Sequence, residues 1–261
     1  MYQTPSEQIS VDDFVGMPYL NVLTYPKPNL RVAKARLTQL KRLGVSRVIF
    51  EGKTRIGSLC VLGIGTVGLV VRVQAEGLSC ALKIRRIDAN RESMDSEHRL
   101  TQMANKVGVG PRAVSATRDF LLMEWVRGAE VDDWLTAVKG AGSRARVREM
   151  IHSILNQCRK MDIVNLDHGQ LSNLRKHVVI ADDRPVIIDF ESASLRRRSK
   201  NVTTAAQYLL IGGRVSRKVR RMLGMKNVDS VLKALFRYKR ELSDESYAAL
   251  LHTFGIPLPV S

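Results

Sequence analysis

The apolar positions of the chain change their period along its length. Up to about residue 28 no period is visible, and the stretch closes on Pro26-Lys27-Pro28, which predicts a loosely ordered leader. Asn29 can cap a helix whose Leu30, Ala33, Leu37 and Leu40 share one stripe, with Gly44 as its stop. From Ser46 the apolar runs become short. Val48-Ile49-Phe50, Leu59-Cys60-Val61-Leu62, Leu69 to Val73 and Cys80 to Ile84 are parted by glycine and polar residues, the pattern of a small antiparallel sheet. A helix is expected over about 90–107, ended by Gly108, and then a strand Phe120 to Met123.

After Gly128 the spacing lengthens to that of a helix. Val147, Met150, Ile151, Ile154, Leu155, Cys158 and Met161 fall on one face of a segment from Ser143 to Met161. A loop over Asn165–Lys176 follows. Two strands, Val178 to Ile180 and Val186 to Ile188, are joined by Asp182-Asp183-Arg184-Pro185. The remainder, to Phe254, reads as mostly basic amphipathic helix. Strands first and helices after predict an α+β protein of two lobes. The expected divisions are a leader and first helix over 1–45, a sheet lobe over 46–126 and a mainly helical lobe over 127–261, with a hinge near 124–129.

Composition adds two constraints. With 261 residues, 44% hydrophobic and 26% charged, the chain has enough apolar side chains for a proper core. It has no uncharged run near the roughly 18–20 residues of a membrane span, so no membrane partner is expected. Met1 to Ser10 is polar and lacks the basic-then-apolar order of a secretory signal. Cys60, Cys80 and Cys158 are widely spaced, as reduced thiols of a cytoplasmic protein would be. Charge is the outlier: 42 Lys+Arg against 25 Asp+Glu give +17. Residues 190–261 hold 14 Lys+Arg and 5 Asp+Glu, or +9, in two clusters, Arg196-Arg197-Arg198-Ser199-Lys200 and Arg214 to Arg221. These are either solvated helix faces or a docking surface for RNA, a ribosomal particle or an acidic partner.

Four features carry candidate chemistry. Gly63-Ile64-Gly65-Thr66-Val67-Gly68-Leu69-Val70 fits G-x-G-x-x-G-x-V, in which glycines let backbone N–H groups approach phosphates. A strand follows this turn rather than a helix, which separates it from a dinucleotide-binding fingerprint. Lys83 alternates with Ala81 on the next strand, and a cation inside a half-buried sheet needs a partner. Glu97, on a helical stripe with Met94, Leu100 and Ala104, is the first choice, and Glu92 the competitor. Met123-Glu124-Trp125-Val126 ends an apolar strand whose extended backbone could bond an adenine edge. Asp189 directly follows the strand Val186-Ile187-Ile188, where one carboxylate beside phosphate oxygens would suit magnesium. His152, His168 and His177 lack metal-ligand spacing, so no zinc is expected.

The ordered set Gly63/Gly65/Gly68, Lys83, Glu97, Glu124 and Asp189-Phe190-Glu191 resembles the protein-kinase-like fold over about residues 46–212. Within it the chain is most similar to small atypical archaeal Ser/Thr kinases, relatives of the RIO kinases and the KEOPS-complex kinase. The phrases Asp167-His168-Gly169-Gln170-Leu171-Ser172 and Ile188-Asp189-Phe190-Glu191-Ser192-Ala193-Ser194 carry that similarity. The resemblance implies a bilobal fold, an N-lobe antiparallel sheet with one main helix and a mainly helical C-lobe. It implies ATP- and Mg²⁺-dependent phosphoryl transfer to a Ser/Thr hydroxyl of a protein. Gly63, Ile64, Gly65, Thr66, Gly68, Val70, Ala81, Lys83, Met123, Glu124 and Val126 would then hold the nucleotide. Glu97 would pair with Lys83, and Asp189 would bind the metal. The catalytic loop departs from the family's H-x-D-L-x-x-x-N: His168-Gly169 is followed by Gln170, and Asn173 comes three residues later. The base is therefore open between Asp167 and Gln170. The further metal ligand is open between Asn173 and His177. No A-P-E segment follows Asp189.

Overall fold

A computed structural model describes residues 6–255. The protein is α+β and divides into two compact units. The first comprises the chain to Gln102 together with Pro111–Trp125, and the second Met103–Gly110 together with Val126 onward.

The first unit is built on strands β1 (Glu7–Ser10), β2 (Val45–Phe50), β3 (Thr54–Ile56), β4 (Leu59–Val61), β5 (Gly63–Ile64), β6 (Gly68–Ala75), β7 (Leu78–Arg85), β8 (Ala113–Ala116) and β9 (Phe120–Glu124). Seven of them form an antiparallel sheet in the order β1-β2-β6-β7-β9-β8, with β5 on β6; β3 and β4 pair as a separate hairpin. The β6–β7 turn has only two residues, Glu76 at φ 48° and Gly77 at φ 79°. Such a left-handed pair matches the twist of the strands it joins and fixes their register. In that register Val70 faces Lys83 and Arg72 faces Ala81. One sheet face buries Leu69, Val71, Val73, Leu82 and Ile84 against helix α2 (Leu30–Arg42) and the segment before it.

That earlier segment is where expectation and structure part. Residues 1–5 lie outside the described part, but from residue 6 the predicted leader is ordered. β1 pairs with β2, helix α1 (Leu20–Leu23) follows, and Phe14, Val22 and Leu23 are fully buried in the core. Its apolar residues serve a short strand, a tight turn at Val11–Val15 and a one-turn helix, so no single period emerges. The α2 stripe differs as well: Leu30 is half exposed, while Arg36 stands inside the buried line Ala33, Arg36, Leu40. Its guanidinium donates to the carbonyls of Leu23 and Arg85, both at 2.6 Å, and to Asp119 at 3.0 Å. A buried cation thus ties the N-terminal segment to the sheet.

Helix α3 (Asp95–Lys106) starts in the first unit, and its last residues group with the second. The second unit carries β10 (Ala129–Glu130), α4 (Val131–Ala137), α5 (Ser143–Ile163), α6 (Leu174–His177), β11 (Val178–Ala181), β12 (Arg184–Ile187), α7 (Asn201–Ala206), α8 (Gly213–Leu223), α9 (Asp229–Glu241) and α10 (Asp244–Thr253). β10, β11 and β12 form a small antiparallel sheet. The stripe Val147, Met150, Ile151, Ile154, Leu155, Cys158 and Met161 of α5 is fully buried. Among the described residues no helix is long and apolar enough to cross a membrane.

One buried knot holds the loop after α5. Asn201, at the start of α7, accepts from the His168 amide at 2.9 Å and donates to Leu166 O at 2.7 Å and to Asp162 Oδ1 at 2.8 Å. Asp162 also accepts from the amides of Asn201 and Val202 and from the Tyr238 hydroxyl, and burial pushes its carboxyl upward. Asn201→Ala removes three buried hydrogen bonds and orphans their partners. It is expected to lower unfolding stability by about 2–4 kcal/mol, read by urea titration.

Candidate functional site

In the first unit, β5 and β6 bring the glycine turn back on itself: the Leu62 amide bonds Val70 O at 2.9 Å and the Gly65 amide bonds Gly68 O at 2.7 Å. Gly68 cannot be replaced cheaply, because a Cβ there would sit 2.7 Å from Ile84 O and 3.2 Å from Lys83 Cγ. The turn therefore lies directly on the strand that carries the lysine. Gly65 and Thr66 are exposed at its tip, and Gly63 and Ile64 are half-buried.

The sheet register puts Val70, Ala81, Lys83 and Met123 on one face. Lys83 Nζ lies 2.8 Å from Glu97 Oε1 of α3, with both side chains at most 5% exposed. Two opposite charges so far from water are tenable only as a pair. The Thr101 hydroxyl bonds Glu97 O at 2.8 Å, one turn on, and fixes the same stretch of helix. Glu92, the competing carboxylate, lies before α3; its carbonyl accepts from Arg118.

Glu124 is held by the sheet edge: its amide donates to Arg112 O at 2.9 Å, and its carboxylate accepts from the Arg112 amide at 3.1 Å. Val126 opens the second unit. Two contacts in the first unit escape sequence reasoning. Arg72 stacks 4.1 Å from the Trp125 ring centroid while reaching Glu51 and Ser79. Arg86 donates to Gly65 O at 3.3 Å, is clamped by Asp88 at 2.7 and 2.9 Å, and lies 5.1 Å over the Tyr25 ring. It braces the tip of the glycine turn. An arginine three residues past Lys83 carries no motif that would single it out.

In the second unit, Asp189 follows β12 with φ 69°, a left-handed conformation that a non-glycine residue adopts at some cost. Its carboxylate is 28% exposed, and Oδ2 lies 3.7 Å from Nδ1 of His177. His177 is set there by the bond from the Ile188 amide to its carbonyl, at 2.9 Å. Asn173, expected as a further metal ligand, is exposed on the turn Leu171–Asn173. The chain forms that turn and the single turn α6 before β11, and of the two candidates it is His177 that lies beside Asp189.

His168 is fully buried. Its Nε2 bonds Ile188 O at 3.0 Å, and its ring packs edge-on against Phe190 and His177, at 5.1 and 5.4 Å between centroids. Burial lowers its pKa to about 4, so the ring is neutral near pH 7 and acts as a packing and positioning group.

Asp167, weighed as a base, is buried and engaged. Its backbone pairs with Ser194 in both directions, and its Oδ2 accepts from Arg197 Nε at 2.9 Å. The Arg197 that occupies it comes from the basic cluster, thirty residues on. Gln170 stands two residues past His168, and the buried Oε1 of its amide has no hydrogen-bond partner among the described residues.

No family model matches the chain. Over 120 residues it is 26% identical to Uncharacterized protein MJ1211 of Methanocaldococcus jannaschii, a match that covers 45% of this chain and 99% of that protein. Fold and site define an α+β protein of two compact units. One unit carries a buried lysine–glutamate pair beside a glycine turn, and the other a strained aspartate beside a histidine.

Proposed function

We propose that the chain is an ATP- and Mg²⁺-dependent phosphotransferase of protein-kinase-like fold that passes the γ-phosphoryl group to a Ser/Thr hydroxyl of a protein or of itself. The buried Lys83–Glu97 pair at 2.8 Å, beside the Gly63–Gly68 turn, is the observation that carries this reading. A sheet that only needed a core would place an apolar residue there. Phosphate oxygens are the ligand that a lysine held in this way suits. Glu97 keeps the ammonium pointed at one place, and the amides of the glycine turn add uncharged donors. Arg86 sets the position of the turn.

Asp189 and His177 together fit magnesium only as an ion carried in by a nucleotide. Among the described residues no group of three His, Cys, Asp or Glu could hold a metal alone, and magnesium takes most of its oxygens from phosphate and water. That ion would neutralise charge developing on the transferred group. The base position is open: Asp167 is occupied by Arg197, and Gln170 can orient a hydroxyl but is a poor proton acceptor. Phosphoryl transfer relies mainly on positioning and charge. The buried Gln170 Oε1, without a hydrogen-bond partner among the described residues, could orient a water as well as a hydroxyl, which favours a second reading, ATP hydrolysis without a protein acceptor.

Purified protein incubated with γ-labelled ATP and Mg²⁺, with and without a generic protein acceptor, separates the two. A labelled band on a denaturing gel supports the kinase, and free phosphate alone supports the ATPase. Neither signal refutes both. Arg86→Ala is expected to raise the KM for ATP about two- to tenfold with kcat nearly unchanged, as loss of one bracing hydrogen bond would do.

A further inference from the structure

The outer side of α9 carries apolar groups that fill no core. Phe236 is 68% exposed and Leu232 is 43% exposed. They lie four residues apart, hence on one face, while Val231, Leu235 and Tyr238 are buried on the other. Lys233, Arg237, Lys239 and Arg240 surround them, all exposed. A second basic segment joins the same end of the helix: Arg198 donates to Lys239 O at 2.6 Å. It brings with it the exposed Leu195, Arg196 and Lys200. Of the three acidic residues at this end, Glu241 is paired with Arg237 at 2.8 Å and Arg240 at 3.6 Å, Asp244 is paired with Arg159 at 3.0 Å, and the exposed Glu245 feels the charge of Arg237.

The partner must satisfy both an exposed ring and a dense positive field. A second copy would cover Phe236 but bring like charges together. An acidic protein would meet the charge but has no need of the ring. A duplex offers phosphates, yet its bases are stacked inside. Single-stranded RNA offers both, because phosphates meet the arginines and lysines while an unstacked base lies on the aromatic ring. We propose that the outer face of α9, with Leu195–Lys200 beside it, binds single-stranded RNA, and that Phe236 is the stacking platform. This surface is distinct from the nucleotide-site reading above, and its test needs no ATP.

The experiment is fluorescence anisotropy of the full chain with a labelled oligouridylate of about 16 nucleotides, across a salt series. Contact with about five phosphates gives a slope of log K on log[salt] near −3.5, so binding falls roughly a hundredfold between 50 and 200 mM salt. Phe236→Ala is expected to weaken binding about tenfold at every salt concentration and to leave the slope unchanged. Lys239→Glu with Arg240→Glu is expected to flatten the slope by about 1.5. Arg31→Glu with Lys34→Glu, on exposed positions of α2, makes the same charge change elsewhere and is expected to leave most of the binding intact. All these positions are exposed, so the variants should fold, and thermal melts check this. Equal losses from the α2 and α9 variants would overturn the assignment, because they would show only diffuse attraction to a basic protein. So would binding insensitive to Phe236→Ala, tighter binding of DNA than of RNA, or a wild-type dimer that Phe236→Ala dissociates.

Discussion

Replacing Lys83 with methionine is expected to cut phosphoryl transfer at least about a hundredfold and to lower stability by about 3–5 kcal/mol. The two losses have different causes. On the proposed function, the catalytic loss would follow from removing a fixed cation from the place of the phosphate oxygens, where positioning and charge supply most of the rate. The stability loss comes from Glu97, which is buried and would lose the ammonium 2.8 Å from its carboxylate. A second substitution separates them. Lys83→Met with Glu97→Leu replaces a buried ion pair by two apolar groups of similar size, which is commonly neutral or better for stability. The double variant is therefore expected to melt near the wild-type temperature and to remain inactive. If activity returned along with stability, Lys83 would be structural and the nucleotide reading would fail. Calorimetry and the γ-label assay on the same three proteins decide the matter.

The part of this pair that was legible in the sequence was the part encoded by period. Lys83 lies two residues from Ala81 in a strand, and Glu97 shares a helical stripe with Met94, Leu100 and Ala104, so each announces a buried charge. Their meeting at 2.8 Å depends on the path of the chain between β7 and α3, which no period describes. Other features left no periodic trace. The N-terminal segment is ordered by Arg36, a cation inside an apolar stripe, whose three acceptors are 13, 49 and 83 residues away. Arg197 reaches Asp167 across thirty residues, and nothing at either position signals it. His177 comes to Asp189 because a turn and α6 reshape the segment 171–177 and because β11 pairs with β12 in the observed register. Spacing from His168 leaves Asn173 and His177 both open and does not say which of them reaches Asp189. Local pattern thus marked Lys83 and Glu97 as buried charges but not Arg36, Asp162 or Asp167. Which side chains meet depended on loops whose conformations no period describes.

Asp189 allows a sharper test than charge removal alone, because its backbone is strained in a known sense. At φ 69° an L-residue pays a steric penalty that asparagine and aspartate bear better than most and glycine avoids. Asp189→Asn keeps the size and conformational tolerance of the residue and removes the charge. It is expected to leave the melting temperature within a few degrees of wild type and to reduce Mg²⁺-dependent transfer at least about a hundredfold. Asp189→Gly relieves the strain while enlarging the entropy of the unfolded chain, so stability should change by less than about 1 kcal/mol, again with activity lost. Asp189→Ala combines the lost charge with the full left-handed penalty, and it is expected to be the least stable of the three by about 1–2 kcal/mol. An aspartate present only to make a turn predicts another order: Gly and Asn would be active, and Ala would fail in proportion to its instability. Activity that follows the carboxylate rather than the melting temperature identifies Asp189 as a group that acts on the metal–phosphate complex. The strained conformation would then serve to aim that carboxylate, since Gly, which escapes the strain, would fold and still not work.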